Sequence, residues 1–243
     1  MPLQYSSLPK PPNVLSKFNL VLGSRSPRRQ QLLSEWGIQH FQTFDPFIAE
    51  SSSPYFSGGE LVALNSRRKA RATATLLQKN TDPKSSPIRP SLVLAADTLV
   101  ILDGHIFGKP ADLTEASDMM RKLSGRTHQV LSGVCLVLLN GEKTPPTRTK
   151  AKAVTCSTLR PNHFVTIEFV ERTDVTFRKL SAAAIREYHR LIDPLDKAGA
   201  YAAQDFGDTI IEGVSGSWTN VMGLPMERLF QIFDEKLPAL LQD

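Results

Sequence analysis

"LGSRSPRRQQLL", residues 22–33, joins the end of the apolar run FNLVLG to the start of a helix, and this junction decides the fold class. Ser26 stands at the N-cap and Pro27 at the first helical position, where proline's missing N–H is no loss and its φ is already helical. Leu32, Leu33 and Trp36 then recur at helical spacing, and Gly37 closes the helix. A strand delivered directly into a helix is the building unit of an α/β protein. The same stretch carries Arg25, Arg28 and Arg29 beside or within the first helical turn. There the macrodipole is already positive, so each added cation costs roughly a few tenths of a kcal/mol. Either the guanidinium groups point into water, or they await an anion, for which a helix N-terminus is a ready site and the Ser24 hydroxyl a further contact.

Outward from this junction, residues 1–17 hold four prolines among polar neighbours and read as a flexible N-terminal tail, leaving 18–243 as one domain. FQTFDPFIAE reads as extended. GGELVALNSRRKARATATLLQ is the clearest helix, with Leu61, Leu64, Ala72 and Leu76 assigned to one face. After the break TDPKSSPIRP come the strand SLVLAAD, then TLVILDG with a turn at Asp103-Gly104, then HIFGKP and a helix from about Asp112 to Leu123. THQVLSGVCLVLLNG and HFVTIEFVERTDVTF alternate apolar and polar residues and predict two paired strands, with residues 141–162 between them an insertion. SAAAIREYHRLI predicts a helix capped by Ser181, and GLPMERLFQIFDEKL another with Pro225 at its start. The expected architecture is α/β, a central mixed sheet with flanking helices.

Bulk properties narrow the function classes. With 243 residues, 41% hydrophobic and 22% charged, the chain can bury a sizeable core. A net charge of +5 favours acidic partners such as nucleotides or nucleic acid, or else describes a solvated basic surface. The two cysteines, Cys135 and Cys156, have no metal-ligand spacing and form no disulfide framework, which fits a reducing, cytoplasmic address. The N-terminus lacks the apolar core of a signal peptide, and SLVLAADTLVIL is too short to span a bilayer and carries Asp97 within it. No membrane partner is expected.

Asp97 is the second anomaly. A carboxylate inside an apolar strand is expensive unless paired, metal-bound or brought out at the strand's carboxyl end, where α/β folds bind ligands. Followed by Thr98, it either holds a divalent cation or activates water, or is satisfied by a turn or a neighbouring lysine. Lys109 in FGKP precedes a helix and is placed for phosphate or for solvent. Glu50 in IAESSSP is a loop carboxylate that either completes a metal site or does nothing special, and Lys69 in RRKAR reads first as part of a solvated helix face or a diffuse patch for polyanions. DPLDKAGAYAAQDFG sets Lys197, Tyr201 and Gln204 among small residues, which suits tight packing or, for Gln204, paired hydrogen bonds to a base edge. Arg126 and His128 begin a strand. With no serine or cysteine arrangement of triad type, His128 is read as structural.

In this order, LGSRSPRRQQLL, RKA, AADTLV, FGKP, LSGRTHQVLSGV, DKAGAYAAQ and NVMGLP resemble the Maf family of nucleoside triphosphate pyrophosphatases, from about Leu20 to the last helix. The resemblance implies a Maf/inosine-triphosphatase-like α/β fold with an active-site cleft between two lobes. It also implies cleavage between the α and β phosphates with Mg²⁺ or Mn²⁺. It assigns Asp97 and Glu50 as catalytic and metal-binding carboxylates and Lys69 and Lys109 as catalytic cations. Ser24, Arg28, Arg29 and Lys197 become phosphate contacts. Asp97-Thr98, GRTHQV and DKAGAY followed by glutamine resemble the branch acting on dTTP and UTP, which makes Arg28, Thr98 and Gln204 the specificity positions and extends the range to modified pyrimidine triphosphates. Gly23 stands where the family usually has alanine, a change expected to be harmless. The partner expected is the nucleoside triphosphate, with a homodimer in keeping with the family. One rival reading keeps the enzyme but prefers 7-methyl-GTP or another purine nucleotide. The other is a regulatory protein that binds nucleic acid without chemistry, against which the basic runs lack the interleaved aromatic residues of single-strand binders.

Overall fold

β1 (Asn19–Leu22) is the strand that feeds the quoted junction, and all but its first residue are buried. α1 (Pro27–Glu35) follows with Ser26 at the N-cap and Pro27 at the first position, as its sequence predicts. The Ser26 hydroxyl makes no capping bond; its carbonyl accepts from Gln30 N instead. These elements belong to a computed structural model that describes residues 8–53, 55–80, 89–139, 150–151, 154–159 and 164–241. The remaining elements are β2 (Gln42–Thr43), α2 (Gly58–Asn80), β3 (Ser91–Leu102), β4 (His105–Phe107), α3 (Leu113–Leu123), β5 (Thr127–Leu139), β6 (Lys150–Ala151), β7 (Val154–Leu159), β8 (Phe164–Phe177), α4 (Ala182–Leu191), β9 (Ile211–Ser215), α5 (Trp218–Val221) and α6 (Met226–Glu235).

The strands form a mixed sheet in the order β2-β1-β3-β5-β8-β7-β6, with β4 on β3 and β9 on β8. β1 runs parallel to β2 and β3, whereas β4, β7 and β9 pair antiparallel with their neighbours β3, β8 and β8. The expected α/β class with a mixed sheet is what the chain adopts. Asp103 and Gly104 turn β3 into β4 with φ of 50° and 78°, the left-handed pair that a tight hairpin requires. Part of the expected insertion, 141–162, is itself sheet: β7 pairs with β8 from Thr155↔Glu168 to Leu159↔Phe164. The rest of that segment lies outside the described residues. Residues 1–7 of the expected tail do so as well. Residues 8–17 include a short 3-10 helix, Asn13–Lys17, and the Pro9 carbonyl accepts from Trp36 Nε1 at 2.8 Å.

The chain divides into two compact units. One gathers Thr98–Ser132 and Glu171–Pro225; the other holds the chain through Asp97, Gly133–Val170 and the segment from Met226 onward. Strands β3, β5 and β8 therefore contribute to both. The first unit's core includes Val100, Phe107, Met120, Leu123 and Phe177. In the second, Val21, Val93, Ala95, Cys135 and Val137 of the sheet pack with Ala70 and Ala74 of α2. No helix among the described residues is long and apolar enough to cross a membrane.

His128 sits in the first unit's core, 1% exposed, edge-on to Phe177 and Tyr201, with Nε2 2.9 Å from the Tyr201 hydroxyl. Burial pushes its pKa down to about 4, against a smaller pull upward from Asp174. The unfolded chain therefore binds a proton below about pH 6.5 that the folded chain refuses, and stability falls as pH drops from 6.5 towards 4 by up to about 3 kcal/mol. In urea denaturation at pH 7 and pH 5, the stability gap between the wild type and His128→Gln should narrow at the lower pH. A gap independent of pH would remove His128 from the acid response.

Candidate active site

The geometry begins where β1 stops. Leu22 pairs with Leu94, Gly23 N donates to the Leu94 carbonyl at 2.8 Å, and the chain then turns away through Ser24–Ser26 into α1. β3 continues past this point, so Asp97 lies within the strand and not at its carboxyl end as expected. Its parallel neighbour β1 ends at Leu22, opposite Leu94, three residues before Asp97. Gly23 is also more than a missing methyl: a Cβ there would stand 2.5 Å from Thr73 Oγ1, so the threonine of α2 occupies the room that an alanine would take.

α2 brings the other half. Its buried face is Leu61, Val62, Asn65, Ser66, Lys69, Ala70, Thr73 and Ala74, whereas Leu64, Ala72 and Leu76 of the expected apolar face are only half-buried. The helix turns a partly polar face inward because it covers charged groups. Lys69, read first as part of a solvated basic run, is 8% exposed, and its Nζ lies 2.6 Å from Asp97 Oδ1 and 2.5 Å from Glu50 Oε1. Asp97 is 3% exposed; burial pushes its carboxyl above the usual range, Lys69 opposes that, and the neighbouring charge of Glu50 adds to it. Asp97 Oδ2 accepts from Asn65 Nδ2 at 3.0 Å. Both oxygens of the buried carboxylate thus hold donors, which is how the strand tolerates it.

The three arginines part company. Arg29 turns inward, 8% exposed, and donates to Ser24 Oγ at 3.1 Å. Burial lowers its pKa, while the charges of Asp97 and Glu50 favour the guanidinium. Arg28 is half-buried beside it. Arg25 is largely exposed and pairs with Asp45 at 2.9 Å, which ties the segment before Glu50 to the α1 junction. Ser24, Arg29, Glu50, Lys69 and Asp97 thus share one constellation of this unit. It is rich in cations with hydroxyl and N–H donors around a paired carboxylate set, suited to binding a polyanion and positioning water beside it.

Thr98, Lys109, Lys197 and Gln204 belong to the other unit. Thr98 Oγ1 is 2.8 Å from Ser132 Oγ, Lys109 is exposed, and Gln204 Nε2 donates to Asp205 Oδ2 at 3.0 Å. Lys197 Nζ donates to the Asp193 carbonyl at 2.7 Å and to the Asp196 carboxylate. A groove of about 640 Å³ in that unit is lined by Asp103, Asp112, Glu115 and Asp118 together with Lys122 and Arg126. Among the described residues no group of three or more His, Cys, Asp or Glu side chains is placed to hold a metal. Asn65 was missed by the sequence reading; the available signal was its spacing, one helical turn before Lys69 and hence on the same face.

The sequence that builds this arginine-bearing junction and its Asp–Lys–Glu cluster has a match among known families: residues 19–236 fit the family model described as Maf-like protein, and the chain belongs to that family. Its curated relatives include a dTTP/UTP pyrophosphatase of Bacteroides thetaiotaomicron, 34% identical over 217 residues, covering 89% of this chain and 95% of that protein. Proteins of the same name from Porphyromonas gingivalis and Symbiobacterium thermophilum are 38% and 37% identical, each covering 89% of this chain and 93% of the relative.

Proposed function

We propose that this chain hydrolyses nucleoside triphosphates, dTTP and UTP foremost, between the α and β phosphates, releasing the monophosphate and pyrophosphate. The observation that carries the reading is the buried Lys69 ammonium held between Asp97 and Glu50, beside the inward-facing Arg29. Water attacks the α phosphorus, the bond from that phosphorus to the bridging oxygen breaks, and pyrophosphate leaves with the electron pair. Asp97 takes the proton given up by that water, a role supported by the contact of its Oδ1 with Lys69, which keeps the carboxylate oriented. Arg28, Arg29 and the Ser24 hydroxyl bind phosphate oxygens, with charge developing on the leaving group stabilised by fixed cations.

Glu50 and Asp97 converge on a single cationic centre, and two hard carboxylate oxygens supplemented by substrate phosphates form the donor set that Mg²⁺ commonly takes. These two residues would hold Mg²⁺ or Mn²⁺, which when bound supplies neutralisation of phosphate charge. Roles for Lys109, Lys197, Thr98 and Gln204 rest on the family resemblance and are testable by substitution.

The experiment is pyrophosphate release from a panel of canonical and modified triphosphates, 7-methyl-GTP included, with Mg²⁺, Mn²⁺ or chelator. Equimolar monophosphate and pyrophosphate from dTTP and UTP are expected. Release of orthophosphate, or no product from any nucleotide, overturns the proposal, and preference for 7-methyl-GTP overturns its substrate assignment.

A further inference from the structure

We infer that Asn65 is a positioning residue for this site: its side-chain amide clamps the backbone of Ser51, next to Glu50, onto the Asp97 carboxylate, and so fixes the two acidic groups relative to each other before substrate arrives. This rests on the pyrophosphatase reading above and names a part of the machinery that the reading does not contain.

Glu50 lies in a segment without regular secondary structure between β2 and α2, and its side chain is 56% exposed. The segment presents Phe47 at 84% and Tyr55 at 93% exposure, so little apolar packing holds it. Phe44, at its start, packs against the second unit's core; around Glu50 its hold on the unit is polar. Asn65 Oδ1 accepts from Ser51 N at 2.8 Å, Asn65 Nδ2 donates to the Ser51 carbonyl at 3.2 Å, and the same Nδ2 donates to Asp97 Oδ2 at 3.0 Å. Ser51 N–H can only donate, which fixes the orientation of the amide and aims its NH₂ at Asp97.

Asn65 is 2% exposed and sits in the middle of α2's inward face, where asparagine is a poor helix former and an apolar residue would pack without needing partners. Packing alone therefore gives no reason for it. Its three bonds do: they join the Ser51 backbone to Asp97. Lys69, one turn on, grips the same two acidic residues through their carboxylates. α2 thus presents one amide and one ammonium on adjacent turns, and the two oxygens of Asp97 are divided between them. Lys69 alone fixes the charge of Glu50 but leaves its main chain free to swing; the Asn65 clamp removes that freedom.

The test compares full-length wild type, Asn65→Ala and Asn65→Asp by amide hydrogen exchange at Ser51 without nucleotide or metal, and by kcat and KM for dTTP. Asn65→Ala removes both bonds to Ser51, so its amide should exchange at least about tenfold faster while β3 and the remainder of α2 keep their protection. Its kcat should fall roughly 10- to 100-fold, with KM changed less, the range seen when a residue supporting an active-site ligand is lost. Asn65→Asp keeps an acceptor for Ser51 N–H but offers Asp97 no N–H, so Ser51 should stay protected while kcat falls as in the alanine variant. A purely structural asparagine would not separate the two readouts. Wild-type exchange at Ser51 in Asn65→Ala, or wild-type kcat in either variant, overturns the proposal. If the wild type itself releases no pyrophosphate, the functional reading falls, and the exchange at Ser51 still decides whether the clamp exists.

Discussion

Asp97→Asn is expected to slow pyrophosphate release from dTTP by on the order of 10²–10³-fold, about 3–4 kcal/mol of transition-state stabilisation, in a protein that still folds. The substitution keeps the side chain's shape but leaves one acceptor oxygen where the native carboxylate has two. Asp97 Oδ1 and Oδ2 now face donors on Lys69 and Asn65, so whichever way the new amide turns, one of those donors meets an NH₂. That mismatch costs about 1–3 kcal/mol, offset in part because a buried charge no longer has to be desolvated. Lys69 keeps Glu50 as a partner, so its ammonium is not left buried without a counter-charge. The chemical loss is larger, since the neutral amide can neither take a proton from water nor balance the cations around it. Thermal unfolding followed by circular dichroism separates the two effects: a melting transition near that of the wild type with turnover lost supports the assignment, and turnover within a few-fold of the wild type sinks it.

Much of this site could be read from the chain because its local rules are strong. Pro27 and Gly37 bracket α1 by fixing φ at one end and permitting φ of 100° at the other, so the strand-to-helix junction needs no tertiary information. The anomaly of a carboxylate within SLVLAADTLVIL was also visible, since burial of charge always demands a partner. The partner's identity was not. Lys69 is far from Asp97 in sequence, and a lysine in RRKAR has the same local signature whether its helix face is wet or dry. The face itself was misassigned because α2 buries polar residues over the site, and a periodicity count rewards Leu64 and Leu76 over Asn65 and Thr73. Arg25 and Arg29, alike on the page, were separated only by Asp45 reaching one and burial claiming the other.

Gly133→Ala should be strongly damaging for stability and activity together. A Cβ built on Gly133 of β5 would lie 2.2 Å from the Val62 carbonyl oxygen, 2.3 Å from its carbon and 2.7 Å from Ala63 N. These are backbone atoms of α2, so no rotamer change relieves the contact, unlike the clash at Gly23, where Thr73 Oγ1 belongs to a side chain. The helix must move away from the sheet or β5 must buckle, at a cost at or above the roughly 1–3 kcal/mol typical of overpacking. The next turns of that helix carry Asn65 and Lys69, whose hydrogen bonds to Asp97 and Glu50 span 2.5 to 3.0 Å. A displacement of about 1 Å breaks such bonds and on its own can lower turnover on the order of 10²-fold. Gly213 in β9, where a Cβ would meet nothing within 4 Å, is the control: its alanine variant should match the wild type in urea midpoint and kcat. Truncating Val62 to alanine in the Gly133→Ala background should restore neither, because the obstructing atoms are main chain. A Gly133→Ala protein as stable and as active as the Gly213→Ala control would mean that the close approach of β5 and α2 is not what holds the lysine and the asparagine at Asp97.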